Sequence, residues 1–324
     1  MREQVEDFYG QVQKVMEQVN QVVIGKEECV RKVMAAILAG GHILMDDIPG
    51  VGKTTLAMAF SRALSLQNKR IQFTPDVMPS DILGFSMYQK QTGQFVYQPG
   101  AVMCNLFLGD EINRTSPKTQ SALLEVMEEG SVTVDGITRH VPEPFIVIAT
   151  ENPAGSVGTQ LLPESQLDRF MICVSLGYPD LEDEIRIMRE KNERGTIEDV
   201  LDTENHSVMT ATELKYLRSL IEQVYIQDSV YRYICTLVQE TRRNVYIELG
   251  VSPRGTVALM RMAQAMAFLH RRAYVIPEDV EEVFLDVTAH RVLRGAKART
   301  ARLSAEHILQ EILEQVKKPT VTRR

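Results

Sequence analysis

The chain of 324 residues has only four cysteines, Cys29, Cys104, Cys173 and Cys235, and each stands alone among apolar neighbours. Without a Cys-x-x-Cys pair or an accompanying histidine spacing, neither a disulfide framework nor a structural zinc site organises the fold. Buried free thiols in a reducing cytoplasm are expected instead. The six histidines, His42, His140, His206, His270, His290 and His307, also fall at no metal-binding spacing. Long apolar runs are missing too, and the N-terminal MREQVEDFYGQVQKV alternates charged with apolar residues. Neither a membrane span nor a signal peptide is therefore expected. Basic charge is not in excess: 36 Lys+Arg stand against 43 Asp+Glu, a net charge of -7. That balance argues against a broad duplex-binding surface, though not against a narrow basic channel. Repeats and low-complexity tracts are absent as well. What remains is ordinary for a globular protein, 44% apolar and 24% charged, in a chain long enough for two domains.

Against this plain background residues 42–56, HILMDDIPGVGKTTL, stand out. The apolar run Ile43-Leu44-Met45 gives way to Pro49-Gly50-Val51-Gly52, and Lys53-Thr54-Thr55 opens an apolar-periodic segment. The order reads strand, glycine turn, helix. Small residues in such a turn let backbone N–H groups converge on a phosphate, and the helix N-terminus adds its positive end. Lys53 then reaches the outer phosphates and the Thr54 hydroxyl ligates Mg²⁺. The strict pattern asks for glycine where this chain has Asp47, so a literal search misses the motif.

A second informative stretch is Leu106-Phe107-Leu108-Gly109-Asp110-Glu111. An apolar strand that ends in two adjacent carboxylates suits an open α/β sheet, where ligands collect at the carboxyl ends of the strands. Asp110 would hold Mg²⁺ opposite the loop hydroxyl, and Glu111 would orient and deprotonate an attacking water. Such a string is common by itself, but its place 57 residues after Lys53 makes it specific. Other residues leave two readings open. Asn152, after an apolar strand at 145–150, reads as a ligand for the γ-phosphate or the water, or as an ordinary Asn-Pro turn. Arg169, just before a strand at 171–176, reads as a surface ion-pair partner or as a cation for a neighbouring subunit's transferring phosphate. The apolar elbow around Ile24 and Gly25 is either a packed connector or one wall of a nucleotide-base site.

Helices are expected over residues 3–19 and 27–39, and hairpins over 78–100 and 130–140, the second turning on Asp135-Gly136. The aromatics of the first hairpin make either a working surface or packing within the domain. A helix over 118–129 ends in acids, and a short one covers 161–170. From Asp180 on no strand-like run is evident. Helices are expected at 182–194, 212–225, 228–244, 252–272, 277–288 and 305–316, with an acidic linker at 195–209. The boundary falls near 177–180, giving an α/β domain (1–178) and a helical one (179–324). Ser252-Pro253 is a helix opening, cap then first-turn proline. A cation in that turn, Arg254, opposes the helix dipole, so it points either to a nearby phosphate or to an acid partner.

Taken in series, these stretches resemble the AAA+ ATPases, and within them the MoxR family. The resemblance rests on Asp47–Thr54, on Asp110-Glu111-Ile112-Asn113-Arg114 and on residues 117–125. It continues through Ala149-Thr150-Glu151-Asn152-Pro153, Gln166-Leu167-Asp168-Arg169-Phe170 and Ser252-Pro253-Arg254, and spans roughly residues 10–295. It implies an α/β fold: a P-loop AAA+ core with a parallel five-stranded sheet and inserted β-hairpins, followed by an all-helical lid. By the same resemblance Pro49, Gly50, Val51, Gly52, Lys53, Thr54 and Thr55 correspond to the Walker A loop, and Asp110 and Glu111 to Walker B. Asn152 is similar to sensor 1, Arg169 to an arginine finger acting in trans, and Arg254 to sensor 2. The implied activity is Mg²⁺-dependent ATP hydrolysis in a homo-oligomer, usually a ring of six. The implied partner is a protein client, von Willebrand factor A domain proteins among them. Two rivals stay open: a nucleic-acid-directed motor, disfavoured by the low basic charge, and a nucleotide-gated scaffold with little turnover. A GTPase is disfavoured because no Asn-Lys-x-Asp signature occurs.

Overall fold

A computed structural model describes residues 2–48, 50–151, 162–194 and 207–320. Two helices lead in. α1 (Arg2–Val22) buries Val12, Val15, Met16 and Val19, one face at helical spacing. α2 (Glu27–Leu38) is buried along most of its length because it packs on α1 and also on helices from the C-terminal half. β1 (Ile43–Asp46), the glycine turn and α3 (Lys53–Ala63) follow in the expected order. Next come β2 (Asn68–Gln72), a short α4 (Pro79–Leu83), the hairpin β3 (Gly84–Gln89) and β4 (Gln94–Pro99), and β5 (Leu106–Asp110). α5 (Pro117–Glu129) starts at a Ser116 cap, whose hydroxyl accepts from Thr119 N–H, and stops at Gly130 in the left-handed region, φ 61°. The second hairpin, β6 (Ser131–Val134) and β7 (Ile137–His140), turns on Asp135 and Gly136, both at positive φ as the Asp-Gly dipeptide requires. β8 (Ile146–Glu151), α6 (Glu164–Leu167) and β9 (Ile172–Val174) complete the α/β part.

Five strands form one parallel sheet in the order β2-β5-β8-β1-β9. β5 and β8 lie inside it and are buried on both faces, which is why they read as continuous apolar runs. β2 is an edge strand, and its Asn68-Lys69-Arg70 leave the edge polar. Side chains alternate between the faces. Ile43, Met45, Leu106, Leu108, Ile146 and Ile148 join α1 to α3 in one cluster, while Leu44, Phe107, Val147 and Ala149 meet α5 residues Leu123 and Leu124 in the other. The first cluster continues unbroken into the C-terminal helices.

Those helices are α7 (Leu181–Arg194), α8 (Ala211–Ile221), α9 (Asp228–Arg243), α10 (Pro253–Leu269), α11 (Pro277–Thr288), α12 (Ala296–Ala301) and α13 (Ala305–Gln315). The structure differs from the sequence reading in several places. A small antiparallel pair, β10 (Ile247–Leu249) and β11 (Leu293–Arg294), lies among the helices, too short for an alternating pattern to register. The expected helix at 161–170 is only the single turn α6, entered from Pro163. Cys29 and Cys104 are buried free thiols, but Cys173 is half-buried and Cys235 is exposed on the outer face of α9. The two inserted hairpins pack on each other, with the Arg139 guanidinium 4.1 Å above the Tyr97 ring, while Phe95, Tyr88, Phe85 and Met87 stay exposed.

His42, at the start of β1, fastens α5 to the sheet. Its Nδ1 accepts from Val147 N–H and its Nε2 donates to the Met127 carbonyl, each at 3.0 Å, so the ring is neutral. Burial pushes its pKa down to about 4. A histidine whose folded pKa lies below its unfolded value, about 6.5, contributes fully above that value and loses its contribution as pH falls toward 4. The thermal midpoint should therefore drop between pH 7 and pH 5, and the drop should be smaller in His42→Gln, as scanning calorimetry at the two pH values would show.

Candidate functional site

At the carboxyl ends of β1, β5 and β8 a cleft of roughly 340 Å³ opens, lined by Gly50, Gly52, Lys53, Thr54, Thr55, Asp110 and Glu111 together with Arg70, Gln72 and Thr150. Gly50 and Gly52 take φ of 87° and 100°, a region closed to most side chains. Neither would bring a Cβ within 4 Å of another residue, so the backbone conformation and not packing calls for glycine there. Gly52 caps α3 without a side-chain hydrogen bond, and the first turn of α3 contains no acid. Its first-turn residues Lys53, Thr54 and Thr55 line the cleft, and the unpaired N–H groups of a helix start suit an anion such as a phosphate chain.

Lys53 is buried, and its Nζ donates to the Asp47 carbonyl at 2.7 Å. Burial pushes its pKa below the ordinary lysine value, opposed by Asp47, Asp110, Glu111 and Asp46. Asp110 is buried at the tip of β5. Its carboxylate accepts from Arg70 Nε at 2.6 Å, so a cation already balances it in the place where a divalent ion would bind. Asp110 and the Thr54 hydroxyl supply the hard oxygen donors that Mg²⁺ takes, in one cleft. Glu111 sits at φ 58°, a strained conformation for a non-glycine residue, and its N–H donates to Thr150 Oγ at 2.9 Å. Its Oε2 accepts from Gln72 Nε2 at 2.9 Å and Arg114 Nη1 at 2.7 Å. Beside Asp46, Glu151 is pushed up to about 7 by burial and by the Asp46 charge.

Arg169 and Arg254 do not line this cleft. Both pair with Glu128, near the end of α5: Arg169 Nε lies 3.2 Å from one carboxylate oxygen, and Arg254 Nη2 donates to the other. Arg169 leads into β9, and α5 ends beside His42 at the start of β1, so the pair stands at the amino ends of the strands. The four-residue strand β1, about 13 Å long, lies between it and the glycine turn. Asp168 locks the arrangement. Its carboxylate accepts from the Ser252 hydroxyl at 2.8 Å and from Arg291 Nε at 2.9 Å, and Ser252 in turn caps α10, which carries Arg254.

Of the other residues expected to contribute, Gly25 lines a second cleft of roughly 450 Å³ with Val174, Ser175, Leu176 and Asp286. Ile24 is buried beside it, and Val51 packs against the core. Pro49 and Asn152 lie outside the described residues. Arg70, Gln72, Thr150, Glu128 and Arg291 were not singled out from the sequence. The acids closing α5 were visible, but nothing in sequence tells which cations reach them.

An open parallel sheet with a glycine turn and two strand-end carboxylates, joined to a helical lid, is the architecture of an AAA-type ATPase. Residues 42–172 match the ATPase family associated with various cellular activities (AAA), and residues 239–312 match the AAA lid domain. The uncharacterized protein YeaC of Bacillus subtilis is 44% identical over 314 residues, 97% of each chain. Chaperone MoxR1 of Mycobacterium tuberculosis is 33% identical across 96% of this chain and 83% of its own. A crystal structure from Cytophaga hutchinsonii, described as a proposed ATPase, superimposes with a TM-score of 0.90 at 35% identity, covering 98% of both chains. The chain belongs to the MoxR family of AAA+ ATPases.

Removing the cation beside Asp110 tests the metal assignment. Arg70→Ala should lose about 1–3 kcal/mol of stability in the absence of divalent ions. Added Mg²⁺ should raise its melting temperature by more than it raises that of the wild type, as thermal melts with and without Mg²⁺ would show.

Proposed function

We propose that this chain hydrolyses ATP with Mg²⁺ at the interface between copies of itself, and that the cycle remodels or activates a protein client. The observation that carries this reading is the separation of the machinery onto two edges of one sheet. Lys53, Thr54, Asp110 and Glu111 share the cleft at the carboxyl ends, while Arg169 and Arg254 share Glu128 at the amino ends. Held by Glu128 at the opposite edge, the two guanidinium groups do not line their own chain's cleft. They fit the phosphates of a neighbouring copy whose cleft faces them.

In this reading each copy binds its own nucleotide and lends two cations to the next. Backbone N–H groups of residues 50–55 cradle the phosphates, and Lys53 exchanges the Asp47 carbonyl for an outer phosphate oxygen. Thr54 and Asp110 would hold Mg²⁺, which would supply charge neutralisation on the phosphate oxygens. Glu111 takes the proton of the attacking water once its contacts with Gln72 and Arg114 loosen, and Asn152, next in the chain after β8, orients that water. Ile24 and Gly25 hold the base. A transferring phosphate carries more charge than Glu128 and so draws Arg169 and Arg254 away from it. The relative named as a chaperone and the net charge of -7 favour a protein client over nucleic acid. A closed ring, of six copies by the family resemblance, satisfies every cleft, and the client could be a von Willebrand factor A domain protein. A cytoplasmic location agrees with the free cysteines and with the absence, among the described residues, of a helix long and apolar enough to cross a membrane.

Glu111→Gln should abolish steady-state ATPase while retaining ATP, and affinity capture with ATP present should then recover protein. Unchanged turnover would refute the catalytic assignment, and recovery of mainly nucleic acid would refute the client class. Mixing supplies a second test. Arg169→Ala or Arg254→Ala subunits should poison wild-type assemblies, so that activity falls more steeply than the fraction of wild type, whereas a linear fall would argue against action across the interface.

A further inference from the structure

Asp47 occupies the position where the strict phosphate-loop pattern has glycine, and only 4% of its surface is exposed. Its carboxylate accepts from the backbone N–H groups of Leu176 and Gly177, the latter at 3.2 Å from each oxygen. Its own carbonyl accepts from Lys53 Nζ at 2.7 Å. One residue therefore touches the phosphate-gripping lysine through its backbone and, through its side chain, the segment by which the chain leaves β9 for α7. Gly177 has φ 61°, and the next residue, Tyr178, offers its carbonyl to Lys26 Nζ at 2.8 Å. The exit segment is thus fastened on both sides, by Asp47 from the phosphate loop and by Lys26 from the elbow after α1. Close packing continues beyond it, since a Cβ at Gly25 would fall 1.7 Å from Asp183 Oδ2 of α7.

We propose that Asp47 is a positioning residue that couples occupancy of the phosphate loop to the setting of the hinge at residues 176–178, and through it to the helical lid. When Lys53 turns to a phosphate, the Asp47 carbonyl loses its cation and the peptide it belongs to is free to rotate. The carboxylate carries that rotation to Leu176 and Gly177, because a buried carboxylate must keep its N–H donors. Glycine at this position would satisfy the phosphate loop but leave those two amides unpaired. The departure from the pattern is therefore a connection that the literal pattern lacks.

The coupling rests on the ATPase reading above, and the test separates the two. Asp47→Gly restores the literal motif and should bind ATP within about threefold of wild type, while kcat falls roughly ten- to a hundredfold. Hydrogen exchange over residues 176–180 should differ between ATP-bound and nucleotide-free wild type, and should show no such difference in Asp47→Gly. Asp47→Asn keeps the volume but replaces one acceptor oxygen by an NH₂ group that faces a donor. It should show the same split between binding and kcat, and it serves where the glycine chain folds poorly. If wild type turns over ATP and both variants match it in kcat and in the exchange response, the coupling is wrong and the ATPase reading stands. If wild type neither binds nor hydrolyses ATP, both fall.

Discussion

A buried ammonium sets the terms for the site. Lys53 sits at the mouth of the sheet with burial working against its charge, held by one backbone carbonyl and by the field of Asp46, Asp47, Asp110 and Glu111. Three of these carboxylates have other partners as well. Asp110 is tied to Arg70, Glu111 to Gln72 and Arg114, and Asp47 to two backbone amides, while burial brings Glu151 toward neutrality. The cleft is thus balanced internally, yet Asp110 and Glu111 are held by side chains that can yield. A nucleotide entering with Mg²⁺ adds both signs of charge and can replace these contacts one for one. A buried charge persists only if it is paired, so such exchange is the inexpensive way for the site to change state.

The same logic governs the opposite edge. Two guanidinium groups brought together would repel, and Glu128 holds them side by side. The framework behind them is stiffer. Asp168 joins the loop of Arg169 to the cap of α10, and buried Arg291 ties Asp168 to the carbonyls of Phe170 and Met171. Core and lid therefore present Arg169 and Arg254 as one unit. A movement of α10 relative to the sheet would disturb both cations together.

Legibility in the sequence divided along the reach of the interactions. The glycine turn is local: positive φ at Gly50 and Gly52 and the lysine one residue later belong to a single stretch, and they can be read in it. Buried parallel strands write long apolar runs, so β5 and β8 could be placed closely, and the Ser-Pro opening of α10 announces itself. The pair β10–β11 could not, because strands of three and two residues carry no period.

By itself, then, the sequence determined the order of elements, the phosphate loop and the two strand-end carboxylates, since each is encoded within a few consecutive residues. Tertiary structure alone decided who pairs with whom. Sheet order brings Arg70 and Gln72 of β2 against Asp110 and Glu111 of β5, 38 to 40 positions away. Packing of lid on core brings Arg254 to Glu128 across 126 positions, and the pairing of β1 with β9 brings Asp47 to Gly177 across 130. A charge written in the sequence has a sign but no address, and only the folded chain supplies the partner that gives it a role.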